Sequence, residues 1–234
     1  MSFWVAITTH NRFDTFLKER ILKYLSNKRI IGVIILDDCS EDYQKINDCA
    51  DFTDEMKERI IVYRNKENLG CYRNKIKLMS ILPEDKWYAF MDSDNYGGEE
   101  YFGCLDGREL KTDVVYCPGW PSPSPALDFR GRTYTEVNKG NWEKHFDVND
   151  PFYNTMNYVI HGSLCNKLAS LVETYTDEPT CLDSIYINHR LVRDCDATLR
   201  LEREMIYHHA VHGGSNFVAF QKNFAKDAAL DWSM

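Results

Sequence analysis

Trp87-Tyr88-Ala89-Phe90-Met91-Asp92-Ser93-Asp94-Asn95 is the stretch from which the architecture is read. Five apolar or aromatic residues form the pattern of a buried strand, and they give way abruptly to two carboxylates one residue apart, where a strand leaves a core. Strand side chains alternate faces, so a strand that continues to 94 turns Asp92 and Asp94 to one side, where both can meet a hard cation. Asp, Ser and Asn are also turn formers, and by themselves these residues fit a strand-to-turn cap equally well.

Working outward, the same grammar recurs upstream. Phe3-Trp4-Val5-Ala6-Ile7 is a short apolar run that breaks into Thr8-Thr9-His10-Asn11-Arg12. A helical pattern follows, with Phe13, Leu17, Ile21 and Tyr24 on one face and Asp14 as the expected N-cap. Ile30 to Leu36 is the continuous β-branched run of a strand covered on both faces, and it ends in Asp37-Asp38-Cys39-Ser40. Ser40 is expected to cap a short helix reaching Cys49. A further helix is predicted over 53–59, then a strand over 60–63. Asn68-Leu69-Gly70 opens a helix with an apolar face of Leu69, Tyr72, Ile76 and Met79, while Arg73 and Lys77 share another face. Strands alternating with helices predict an α/β unit with a mostly parallel sheet, whose ligands bind at the carboxyl ends of the strands.

The half beyond residue 100 is less regular. A strand is expected over 113–117, and the proline-rich Pro118-Gly119-Trp120-Pro121-Ser122-Pro123-Ser124-Pro125 reads as a stiff surface loop. Tyr158-Val159-Ile160 is a strand candidate followed by a helix through Val172. A second helix carries Leu182, Ile185, His189 and Val192, a strand is expected over 198–201, and a less regular run follows to Tyr207. His208, His209 and His212 follow, with Gly213 and Gly214 behind them. No repeat or linker divides the chain, so a single domain over 1–234 is expected.

The 234 residues suffice for one sizeable core. A net charge of -8 excludes a general nucleic-acid or anionic-membrane binder, which needs a basic field. The eight cysteines lack Cys-x-x-Cys spacing and are expected as reduced thiols, which points to a cytoplasmic setting. Phe3 to Ile7 lacks the basic flank and longer apolar run expected of a signal peptide, and no apolar run of this sequence reaches membrane-spanning length.

The order of the strand exits resembles a nucleotide-diphospho-sugar glycosyltransferase of the GT-A fold, family 2-like. The matching residues are Thr8-Thr9-His10-Asn11-Arg12, Asp37-Asp38-Cys39-Ser40, Asn68-Leu69-Gly70 with Arg73-Asn74-Lys75, and Asp92-Ser93-Asp94. They cover roughly the first 100 residues, with a looser match thereafter. The resemblance implies a Rossmann-like mixed sheet, with 1–100 as the nucleotide-sugar-binding half and 101–234 as the acceptor-binding half. It implies transfer of a sugar, with inversion, from a nucleotide-diphospho-sugar donor, UDP-sugars favoured, to a glycan or other hydroxyl acceptor.

A cation that bridges the diphosphate stabilises the leaving group, and Mn2+ or Mg2+ suits oxygen ligands. By resemblance Asp94 binds the metal directly, Asp92 lies at the ribose or a metal-bound water, and Ser93 lies between them. Asp38, Thr8, Thr9 and Arg12 line the nucleotide pocket with Asn68 and Gly70. Arg73, in the first turns of a helix, suits a diphosphate, although a solvated face shared with Lys75 and Lys77 is the plainer account. His212 is the expected third metal ligand from a Gly-rich loop. Asp183 is the expected general base, ahead of the Asp177-Glu178 pair. Trp120, Trp142 and Tyr153 are candidates for stacking on acceptor sugars, against the more frequent core role of a Trp.

Two other classes stay open at this stage. A nucleotidyltransferase making sugar nucleotides uses a related sheet, but it usually carries a Gly-rich basic loop after the first strand, which 8–12 lacks. A non-catalytic nucleotide-sugar-binding module is the other, and the intact Asp92, Asp94 and Asp183 speak against it.

Overall fold

The computed structural model describes residues 1–123, 128–145, 156–172, 179 and 182–210. In chain order the elements are β1 (Phe3–Thr9), a single π-turn (Phe13–Leu17), α1 (Lys18–Ser26), β2 (Ile30–Asp37), α2 (Gln44–Asp48), α3 (Asp54–Glu58), β3 (Ile60–Arg64) and α4 (Cys71–Ile81). They continue with β4 (Trp87–Asp92), β5 (Tyr96–Gly97), α5 (Glu99–Gly103), β6 (Val114–Ser122), β7 (Glu136–Val137) and α6 (Trp142–His145). The last are β8 (Val159–His161), α7 (Gly162–Val172), α8 (Asp183–Arg193) and β9 (Thr198–His208).

Among the described residues one sheet runs β3-β2-β1-β4-β8-β6-β9-β5, with β7 paired to β9. β3, β2, β1 and β4 are mutually parallel, β8 is antiparallel to both its neighbours, and β6 and β9 are parallel. The expected parallel unit is therefore the first half of a mixed sheet.

Alternation along the strands divides the apolar residues between two cores. Val5, Ile7, Val33, Ile35, Ala89 and Met91 face α1 and α5, where they meet Ile21, Tyr24, Tyr101 and Phe102. Ala6, Ile34, Leu36, Tyr88 and Phe90 face the other way, with Tyr72 and Met79 of α4, Leu168 of α7 and Ile185 of α8. Each Leu, Ile or Phe so enclosed contributes about 1.5–3 kcal/mol of transfer free energy. Both faces of β1, β2 and β4 are covered, which is why these strands read as unbroken apolar runs.

Register then aligns the strand exits. Thr8 lies beside Leu36 and beside Asp92, and Thr9 lies beside Asp37. The polar residues that end β1, β2 and β4 thus share one sheet edge.

Several local expectations are corrected. Asp14 does not cap the first helix: its carboxylate pairs with Lys45, and the Phe13 N–H donates to Asp42 Oδ2 at 3.1 Å. The Leu17 N–H donates to Arg12 O at 3.0 Å, which makes the first turn a π-turn. Ser40 starts no helix; its Oγ accepts from the Asn11 N–H at 2.8 Å, and α2 begins only at Gln44. Residues 118–122, expected as surface loop, continue β6 alongside β9, with a bulge between Pro118 and Trp120. β8 meets β6 only at Tyr116, so that side of β6 beyond Tyr116 carries no strand among the described residues, a setting that tolerates proline. Gly119 is required there because an added Cβ would lie 2.6 Å from Arg203 O. β9 is one strand through His208, joining the segment expected over 198–201 to the run that follows it.

Candidate active site

The strand of the opening motif stops at Asp92. Ser93 and Asp94 form a turn closed by the Asn95 N–H donating to Asp92 O at 3.0 Å. Alternation therefore does not set the relation of Asp94 to Asp92; the turn does. Arg20 of α1 holds that turn from outside, donating from Nε to Asp94 O at 3.4 Å. Asp92 and Asp94 are half-buried and Ser93 is buried.

The carboxylate of Asp92 is clamped on one oxygen. Oδ2 accepts from Asn157 Nδ2 at 3.2 Å and from Asn95 Nδ2 at 3.4 Å, and Asn157 Oδ1 in turn accepts the Asp92 N–H at 3.0 Å. Asn157 is 2 % exposed and its own carbonyl accepts from Tyr101 OH at 3.1 Å, so the amide is fixed from both ends. The other oxygen, Oδ1, faces the Lys75 ammonium at 3.4 Å.

Lys75 rises from α4 into the same space. Its Nζ is 2.8 Å from Asp183 Oδ2 and 3.3 Å from Ser184 Oγ, so one ammonium joins the exit of β4 to the start of α8. Its side chain is 7 % exposed. Burial disfavours the charged form, and the nearby carboxylates of Asp183 and Asp92 outweigh it, so Lys75 is held charged above its ordinary range. Asp183 is itself buried at the first residue of α8.

The exit of β2 is built differently. Asp38 Oδ1 accepts from Asn65 Nδ2 at 2.8 Å and from the Leu69 N–H at 2.9 Å, and Oδ2 accepts the Gly70 N–H at 2.9 Å. Asp38 thereby shapes the loop that opens α4. Gly70, the N-cap, has φ +80, which suits a residue without a Cβ. Asp37 serves its own turn, with Oδ2 accepting the Ser40 N–H at 2.9 Å. His10 links the loops, its Nδ1 2.9 Å from Asp38 O and its Nε2 3.2 Å from Asn68 Nδ2.

Of the residues expected from the sequence, Asp92 and Asp183 meet at Lys75, and Ser93 and Asp94 follow Asp92 in the adjoining turn. Thr8, Thr9, Asp38, Asn68 and Gly70 line the adjoining β1 and β2 exits, with Thr9 5 % exposed. Arg12 caps the π-turn with its guanidinium 5.9 Å from the Phe16 ring centre. Arg73 is exposed on the outer side of α4 with Lys77, and the buried position belongs to Lys75. Trp120 is half-buried and overlaid by the Arg130 guanidinium at 4.4 Å, while Trp142 packs against the core with His189 at 5.0 Å. β9 ends at His208, stacked on Tyr96 at 6.1 Å. His212, Tyr153, Asp177 and Glu178 lie outside the described residues.

Two residues escaped the sequence reading. Lys75 was grouped with a solvated face, yet it lies three residues after Tyr72 and four before Met79, on the apolar stripe of α4, and that spacing was the available signal. Asn157 has no local signal, because its partner is 65 positions away.

Among the described residues no three His, Cys, Asp or Glu side chains gather, but Mn2+ and Mg2+ in diphosphate sites commonly take one or two carboxylates, with phosphate oxygens and water completing the shell. Asp92 Oδ1 is the carboxylate oxygen that could take part in such a shell, in exchange for its contact with the Lys75 ammonium.

Comparison with known proteins gives the following. The sequence profile of the family described as Glycosyl transferase family 2 matches residues 4–167. No curated protein matches the chain by sequence. TarS 1-349 from S. aureus, in complex with UDP-GlcNAc, has a TM-score of 0.62 and 15% identity, over 100% of this chain and 69% of that one. GalNAc-T7 with UDP, GalNAc and Mn2+ has a TM-score of 0.62 and 12% identity, over 100% of this chain and 52% of that one. The mannosyltransferase PcManGT from Pyrobaculum calidifontis, in complex with GDP-Man and Mn2+, has a TM-score of 0.59 and 11% identity, over 96% of this chain and 61% of that one. At such identities the likeness is one of fold.

Proposed function

The chain belongs to glycosyl transferase family 2 and has the GT-A fold, and from that premise we propose that it moves a sugar from a nucleotide-diphospho-sugar, a UDP-sugar favoured, to a hydroxyl of a glycan or similar acceptor. The transfer is read as metal-dependent and inverting. The observation that carries this reading is the convergence of Asp92 and Asp183 on the buried Lys75, beside the Asp94 turn at the shared strand edge.

In this reading Asp94 and Asp92 hold Mn2+ or Mg2+, with His212 as a third ligand. When bound, the cation supplies positive charge against the departing diphosphate. Asn157 and Asn95 fix Asp92 through Oδ2 and leave Oδ1 turned to the ligand side. The loop that Asp38 holds in shape presents Asn68 and Gly70 to the nucleotide, next to Thr8, Thr9 and Arg12. The Lys75 ammonium supplies the anion contact that the sequence had assigned to Arg73. Asp183 takes the proton from the acceptor hydroxyl as that oxygen attacks the sugar from the face opposite the leaving group.

Residues 1–100 are read as the donor half and 101–234 as the acceptor half of one domain. The seven free cysteines among the described residues support a reducing compartment such as the cytoplasm. No helix among the described residues is long and apolar enough to cross a membrane.

A thermal-shift panel tests the reading, with UDP-, GDP-, CMP- and dTDP-sugars each measured with and without Mn2+. A UDP-sugar is expected to raise Tm by several degrees, and only when Mn2+ is present, because ligand that binds the native state stabilises it by mass action. A panel with no metal-dependent shift for any donor would remove the reading.

A further inference from the structure

We propose that Lys75 is the resident counter-ion of the donor site: it competes with the divalent cation for Asp92, and it passes to the donor's diphosphate once the cation has taken that carboxylate. The proposal rests on the reading of Asp92 as a metal ligand.

The geometry leaves Asp92 a single exchangeable oxygen. Oδ2 is engaged by the amides of Asn157 and Asn95, and only Oδ1 looks toward Lys75, 3.4 Å away. A cation that binds Oδ1 therefore enters where an ammonium already sits, and the two positive charges repel. Lys75 has a way to yield, because an ammonium has three donors and its nearer contacts are Asp183 at 2.8 Å and Ser184 at 3.3 Å. It can release Asp92, keep the start of α8, and turn its third donor to a phosphate oxygen.

Electrostatics favour that order of events. Without donor, one lysine faces two carboxylates, so the group carries net negative charge. A divalent cation reverses the sign, and the surplus positive charge then draws an anion with two phosphates. Cation and donor are consequently coupled: each binds more tightly in the presence of the other, by a factor that is the same in both directions. Removal of the lysine charge has opposite effects on the two ligands, whereas a purely structural role would weaken both.

The test measures Mn2+ binding without nucleotide, by calorimetry or by the spin-resonance signal of free Mn2+, and UDP binding at saturating Mn2+. It compares the wild type with Lys75→Met, Lys75→Gln and Lys75→Arg. Both neutral variants are expected to bind Mn2+ about fivefold more tightly or better, and UDP at saturating Mn2+ more weakly by a similar factor, while Lys75→Arg stays near wild type. Lys75→Gln keeps a hydrogen-bond donor beside Asp183, so it decides the matter if Lys75→Met fails to fold. Wild-type Mn2+ binding that is unchanged or weakened in the folded neutral variants overturns the role of Lys75 and leaves the glycosyltransferase reading standing. Mn2+ binding by none of the proteins, with or without UDP, removes that reading and this proposal together.

Discussion

At the end of β2 the carboxylate of Asp38 takes two backbone N–H groups and one side-chain amide, whereas at the end of β4 that of Asp92 faces two side-chain amides on one oxygen and a lysine ammonium on the other. Both acids end parallel strands at the same sheet edge, and in sequence they look alike. The difference lies in what holds them. Backbone N–H groups are fixed parts of a loop, so Asp38 is tied into the fold. The Lys75 contact is a side-chain ion pair at 3.4 Å, longer than the 2.8 Å contact to Asp183, and the proposal has Asp92 exchange it for a metal ion. One carboxylate shapes a loop, and the proposed function gives the other to the ligand.

Substitutions on the two sides of this divide should separate rate from stability. The largest effect is expected for Asp183→Asn, on the Lys75 side. It should lower kcat by about 10²–10⁴, typical for loss of a general base, with donor affinity close to wild type. Steady-state transfer kinetics and a donor titration check both parts. Retained transfer would move the base to Asp177 or Glu178 and leave Asp183 as a partner of Lys75 only.

A smaller effect of another kind is expected for Asp38→Ala. The Leu69 N–H would lose its acceptor, and the Gly70 N–H and the Asn65 amide would each lose one of two, at a cost of about 3 kcal/mol. In a chain of this size that lowers Tm by about 6–12 °C. An Asp38→Ala protein as stable as wild type, with weakened nucleotide binding alone, would erase the contrast between the two strand ends.

How far the fold could be read in advance follows from the same contrast between local and distant partners. β1, β2 and β4 are legible because their apolar runs are continuous and each face meets a helix layer. The shared edge was legible because polar residues stop those runs at matching places. The continuation of β6 through Ser122 was hidden by prolines whose tolerance depends on how far β8 reaches. Asp14 is no cap because the Phe16 and Leu17 N–H groups it would accept both donate to Arg12 O, while its carboxylate pairs with Lys45. At the site, Asp92 and Asp183 stood out by type and position, but the residue that joins them was passed over as one more helix lysine. A carboxylate pair is visible along the chain; the ammonium between them appears only when α4, β4 and α8 are placed together.

The central claim, that the acidic turn after β4 is the donor and metal centre of a glycosyltransferase, is tested most directly by Asp94→Ala. Donor turnover is measured with a UDP-sugar at saturating and at zero Mn2+, alongside Tm for the same protein. The expected result is loss of Mn2+-dependent turnover with Tm within a few degrees of wild type. An undiminished Mn2+-dependent rate in the folded variant would contradict the claim.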